Sequence, residues 1–166
     1  MLQWVAQRAG MNWLALLRSG VLVGIDLVRS LEALAATGQE RHAAQNILLE
    51  TATKEAGFGK PSSVGLWANM APYALALERT GDTASAAKVA RIPFKQGAVF
   101  DPSNDDCVGL SLLLTRCGAT AVVKSELHMI ALYTQLPMTV RVEAALALSR
   151  KFGGKENEDL LAMLQA

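Results

Sequence analysis

Aromatic side chains are scarce in this chain: three Trp, two Tyr and four Phe make up 5% of it. β-branched residues do not alternate with polar ones over any convincing length either, so strand signals are weak. Only two cysteines occur, Cys107 and Cys117. Ten residues apart on one predicted helix, they would sit roughly 80° apart around its axis and about 15 Å apart along it. They cannot bridge each other within that helix. A disulfide framework is thereby excluded, and a reducing cytoplasm is the simpler setting.

Neither sign of charge dominates, 16 Lys and Arg standing against 15 Asp and Glu for a net of +1. No basic stripe with interleaved aromatics runs along the chain, so nucleic acid is not suggested as a partner. Long uncharged apolar runs are missing too. Residues 1–29 are the most hydrophobic part, yet Arg18, Asp26 and Arg29 interrupt them, leaving no run of about 18 apolar residues to span a bilayer. Ala33-Leu34-Ala35 has the small-x-small form of a leader cleavage site, but Arg18 and Asp26 would fall in the apolar region that such a leader needs.

Motifs that announce chemistry are equally lacking. No HExxH, CxxC or paired Glu-x-x-His pattern is present, and Glu126 and His128, two residues apart, diverge by about 200° on a helix. Residues 57–63, GFGKPSS, contain glycines and a lysine but neither the GxxxxGK spacing nor the preceding strand of a phosphate-binding loop. Cys107 with His128 is the one nucleophile pair to consider, and Asp105 and Asp106 beside Cys107 oppose thiolate formation. No metal, cofactor or catalytic group is therefore expected.

What the chain has is apolar content, 51% of 166 residues, enough for a single all-α domain with a sizeable core over residues 1–166. It also has regular punctuation. Residues 73–90, YALALERTGDTASAAKVA, read as a helix stopped at Thr80-Gly81 and restarted at once, with Asp82 or Thr83 as cap. So short a connection implies an antiparallel hairpin. Similar units run over residues 30–47 and 110–127, with a weaker echo over 143–164. The anchoring glycines Gly38, Gly81, Gly118 and Gly153 are 43, 37 and 35 residues apart, a drift ordinary for degenerate helical repeats. About four antiparallel hairpins follow after the apolar N-terminal helices, as a bundle or as a short right-handed α-solenoid.

Around these glycines the pattern resembles the tetratricopeptide repeat. That family places large apolar residues four and eight before the turn glycine, a small residue five after it and an apolar one nine after. Here the positions read Leu34, Ser30, Ala43 and Ile47, then Leu77, Tyr73, Ala86 and Ala90, then Leu114, Leu110, Val123 and Leu127. The likeness covers about half of the chain. It departs at Met70, where the family's first-helix Trp would fall in the second unit, and at Pro93, where the second helix should still be running.

The resemblance implies a concave face that receives a peptide or helix of a partner, as in adaptors and secretion-type chaperones. In this chain that face would be drawn from the first helices, with Asn69, Tyr73, Leu77, Ser111 and Thr115 as candidate contacts. Residues 91–104, RIPFKQGAVFDPSN, form the longest irregular stretch and are the candidate rim, with Phe94 and Phe100 flanked by Arg91, Lys95 and Asp101. The alternative for the two phenylalanines is a core plug. Within residues 1–29, Trp13, Leu17 and Val21 are candidates for a homo-oligomer interface, the other options being a buried helix pair or a membrane-surface helix. Gly10 and Gly20 divide that region. Pro72 predicts a kink, or a short helix followed by a longer one, and Leu136-Pro137 a break. Ser103 or Asn104 should cap the next helix, whose positive end Asp105 and Asp106 complement.

Overall fold

In a computed structural model of the chain, residues 13–38, 40–58 and 65–165 are described. The expectations for Gly10, for residues 59–63 and for Ser62 or Ser63 as a cap lie outside them, as does the side chain of Trp13. The described residues are all-α, with no strand. In chain order the helices are α1 (Trp13–Arg18), α2 (Gly24–Ala36), α3 (Arg41–Phe58), α4 (Gly65–Arg79), α5 (Thr83–Ala90), α6 (Ile92–Lys95), α7 (Asp105–Arg116), α8 (Lys124–Leu132), α9 (Met138–Phe152) and α10 (Lys155–Gln165). A 3₁₀ turn over Thr120–Val123 leads into α8.

The helix ends are written locally. After α4, the amide of Gly81 donates to Glu78 O (3.0 Å) and that of Asp82 to Leu77 O (2.9 Å), while Gly81 sits at φ +91°. This is the paired 5→2 and 6→1 closure that requires a left-handed residue. Gly118 repeats it after α7 at φ +75°, with Ala119 N donating to Leu114 O at 2.7 Å. Asp82 then caps α5 by accepting from Ser85 N (3.0 Å), and Asn104 caps α7 by accepting from Asp106 N and Cys107 N (2.9 and 3.1 Å).

Side chains from neighbouring helices satisfy other terminal carbonyls, which no intrahelical donor can reach. Gln45 of α3, only 5% exposed, donates to Thr80 O at 3.0 Å. Arg141 of α9 donates to Ala131 O at 2.9 Å.

Packing proceeds largely between neighbours in sequence: α2 on α3, α3 on α4, α4 on α5, α8 on α9 and α9 on α10. A second set of contacts links α2 to α4, α4 to α7 and α7 to α9, so these four helices form a row. One core cluster runs from Leu17 to Leu164. The repeat-like positions Leu34, Ile47, Leu77, Tyr73, Ala86, Ala90, Leu114, Leu110, Val123 and Leu127 are all buried in it, whereas Ser30 and Ala43 are half-buried.

Three local expectations are corrected. α4 is one helix through Pro72, not a short helix followed by a longer one: the carbonyl that loses its donor belongs to Ala68, an exposed residue where water can replace it. Residues 91–104 are not irregular throughout. They hold α6, with Pro93 at its start where a missing amide costs little. The segment after Gly118 restarts as a 3₁₀ turn and not at once as an α-helix, and α8 follows over Lys124–Leu132.

Candidate functional site

α7 and α9 bound an open groove of about 580 Å³. α9 builds one wall from two rows at i, i+4 spacing, which share a helix face. One row is Val142, Leu146 and Arg150; the other is Thr139, Glu143, Ala147 and Lys151. Thr115 and Arg116 of α7, with Thr120 of the 3₁₀ turn, supply the opposite wall. Ala144, Ala145 and Leu148 turn to the core, which leaves the half-buried Val142, Leu146 and Ala147 facing the groove.

Arg116 is the best-held polar group there. Its Nε and Nη2 donate to Glu78 Oε1 and Oε2 at 2.7 and 3.0 Å, a fork-to-fork pair across α4 and α7. Nη1 reaches Glu143 Oε1 at 3.3 Å. Hydrogen bonding to Glu78, above all, raises its pKa beyond the ordinary guanidinium value, so it is a permanent cation. Arg79 makes a similar pair with Glu32 of α2, including Nη2 to Oε2 at 3.0 Å. Ion pairs thus run along the whole row α2, α4, α7 and α9. Arg150 and Lys151 are exposed and make no ion pair among the described residues.

Of the residues expected to meet a partner, Thr115 lines this groove, its hydroxyl donating to Leu112 O at 2.7 Å. Asn69 is exposed on α4. Tyr73, Leu77 and Ser111 are interior, at 2%, 0% and 0% exposure, and a partner cannot touch them without parting the helices. The Tyr73 hydroxyl donates to Glu55 Oε1 at 2.7 Å and ties α4 to α3. Burial first, and that bond second, push its pKa far above the usual phenol range. Ser111 Oγ donates to Cys107 O at 2.9 Å.

Phe94 and Phe100 plug the core. They are half-buried and meet the fully buried Trp67 edge-on, at centroid separations of 4.8 and 6.0 Å. Trp67 Nε1 donates to Val99 O at 3.0 Å, which pins the 91–104 stretch over the ring. Asp101 accepts from Ser103 N and Oγ (2.8 and 2.7 Å), and these bonds hold its carboxyl below the ordinary range. Lys95 is exposed and Arg91 half-buried.

Leu17 is 2% exposed and belongs to the core, with α1 packed on α3, so it is no oligomer contact. Val21 is 68% exposed, followed by Val23 at 72% and Ile25 at 49%. Both cysteines are free thiols, and burial raises the pKa of each, with Cys107 wholly inside. That environment disfavours the thiolate. Among the described residues no group of three or more His, Cys, Asp or Glu could hold a metal ion, and no helix is long and apolar enough to cross a membrane.

The α9 wall was not singled out from sequence. Its signal was there: Val142, Leu146 and Arg150 recur every four residues on a helix whose other apolar face is already used by Ala144, Ala145 and Leu148.

No protein-family model matches the chain, and neither a curated protein nor a solved structure matches it.

Proposed function

We propose that this chain is a non-catalytic protein-interaction module, an array of helical hairpins that receives a peptide or helix of a partner protein in the α7–α9 groove. The observation that carries the proposal is the groove itself: an apolar wall of Val142, Leu146 and Ala147, set between Arg116 on one side and Arg150 and Lys151 on the other. Apolar wall with a few fixed polar groups is how peptide grooves combine affinity with orientation. The tetratricopeptide-like punctuation supports the same reading, since there too a row of first helices faces the partner. Adaptor and chaperone roles are both consistent with such a groove.

Selection from a random peptide library displayed on phage tests it. Enriched peptides should bind the wild type and lose binding to Leu146→Asp, a half-buried position where the fold tolerates polarity better than in the core. Failure to enrich any peptide, or binding indifferent to Leu146→Asp, would overturn the proposal.

Val21, Val23 and Ile25 favour a second reading, a homo-oligomer joined through the link between α1 and α2 and the first turn of α2. Three large apolar side chains exposed within five residues are a surface that self-association would cover. Light scattering should then show a multiple of the 17.7 kDa chain that falls to the monomer in Val21→Ser/Val23→Ser. A wild type that is already monomeric would eliminate this reading.

A further inference from the structure

The charges around the α7–α9 groove are unevenly committed. Arg116 is clamped by both oxygens of Glu78, and its remaining nitrogen is held to Glu143 by one longer contact of 3.3 Å. The side chains of Arg116 and Glu143 are 45% and 46% exposed. An exposed single contact of that kind contributes little and exchanges readily. Two turns further along α9, Arg150 and Lys151 have no acidic partner among the described residues. Glu78 offsets the charge of Arg116, so the groove's excess is the two uncommitted cations Arg150 and Lys151, and the one carboxylate lining it, Glu143, is the weakest-held member of the ion-pair chain.

We infer that the segment seated in this groove is acidic, that one of its carboxylates replaces Glu143 on Arg116, and that a second pairs with Arg150 and Lys151. This rests on the docking proposal above and specifies its partner. Glu143 and Lys151 are eight residues apart on one helix, about 12 Å along the axis. An extended peptide covers that distance in about four residues. The matching pattern is thus two acidic residues with about three residues between them, at least one of them apolar to meet Leu146. Glu143 acts as an internal stand-in for the first acidic residue, keeping Arg116 oriented while the groove is free.

The test uses the peptides enriched on the wild-type chain, with their affinities read by fluorescence anisotropy. They should carry the paired acidic residues, and replacing both by Gln should weaken binding. Arg150→Ser/Lys151→Ser should weaken it about fivefold, the scale of two exposed ion pairs. Glu143→Gln should strengthen it about twofold to fivefold, because the competing carboxylate is gone while the side-chain shape is kept. Circular dichroism on each variant confirms that the fold is intact.

Peptides that lose binding to Leu146→Asp but are neutral or basic, or that ignore the Arg150/Lys151 pair, would overturn the acidic assignment and leave docking standing. Binding weakened by Glu143→Gln would overturn the stand-in role, since it would make Glu143 a contact of the ligand. No Leu146-dependent binding at all would remove both proposals together.

Discussion

The contact most open to a quantitative challenge is the aromatic cluster that closes the 91–104 stretch over Trp67. Phe94→Leu removes the ring but keeps an apolar side chain, and Trp67→Leu does the same while also removing the indole N–H. Phe94→Ala should cost about 2 kcal/mol, below the 3–5 typical of a fully buried Phe, because Phe94 is only half-buried. The hydrogen bond from Trp67 to Val99 O should contribute about 0.5–1 kcal/mol, the low end for such bonds. Val99 is 73% exposed, so water can reach that turn when the donor is lost.

The sharper quantity is the coupling. An edge-on pair at 4.8 Å should give an interaction energy of about 0.5–1.5 kcal/mol in a double-mutant cycle of Trp67→Leu with Phe94→Leu. Phe100→Leu, whose ring is 6.0 Å away, should couple more weakly. Urea unfolding followed by far-ultraviolet circular dichroism measures each corner of the cycle. Costs that add within about 0.3 kcal/mol for Phe94 would refute the plug. Phe94 would then be surface, free to serve as the rim that the sequence suggested.

Gly81→Ala should destabilise by about 1 kcal/mol or more, and Gly118→Ala likewise. No atom lies within 4 Å of the added Cβ at either site, so the cost is conformational and a thermal melt should show no accompanying loss of helix content in the folded state. Tyr73→Phe should cost about 1–2 kcal/mol near neutral pH through the lost bond to Glu55. Because the folded phenol resists ionisation, the unfolded chain releases this proton first. Stability of the wild type should therefore fall as pH rises past about 10, by more than that of Tyr73→Phe. Equal alkaline slopes for the two would contradict the buried hydroxyl. A thiol-specific chromophoric disulfide at neutral pH should label Cys117, which is half-buried, well before Cys107, which should react only at the rate of unfolding. Rapid labelling of Cys107 would revive it as a nucleophile.

Helix placement was largely legible in advance, because the signals that start and stop helices are local. Asp82 and Asn104 cap through side chains within three residues of the amides they bind, and Gly81 and Gly118 close helices by their own backbone freedom. Pro72 does not split α4, because its cost depends on what surrounds the orphaned carbonyl, and Ala68 is exposed. The candidate site was legible only at Thr115. Tyr73 and Leu77 look like a presentable face of a first helix, yet both sides of α4 are taken, by α3 and α5 as well as by its neighbours α2 and α7.

Leu17 and Val21 show the same division. Four residues apart, they would share one face of a continuous helix, but α1 ends at Arg18 and Gly20 turns the chain at φ +79°, so one is core and the other surface. Composition, caps and turn glycines determined an all-α chain with punctuated helices, since each acts over one turn of backbone. Which apolar stripe meets another helix, and which is left to form the α7–α9 groove, was decided by tertiary packing. Burial is a property of two surfaces together, and periodicity describes only one of them.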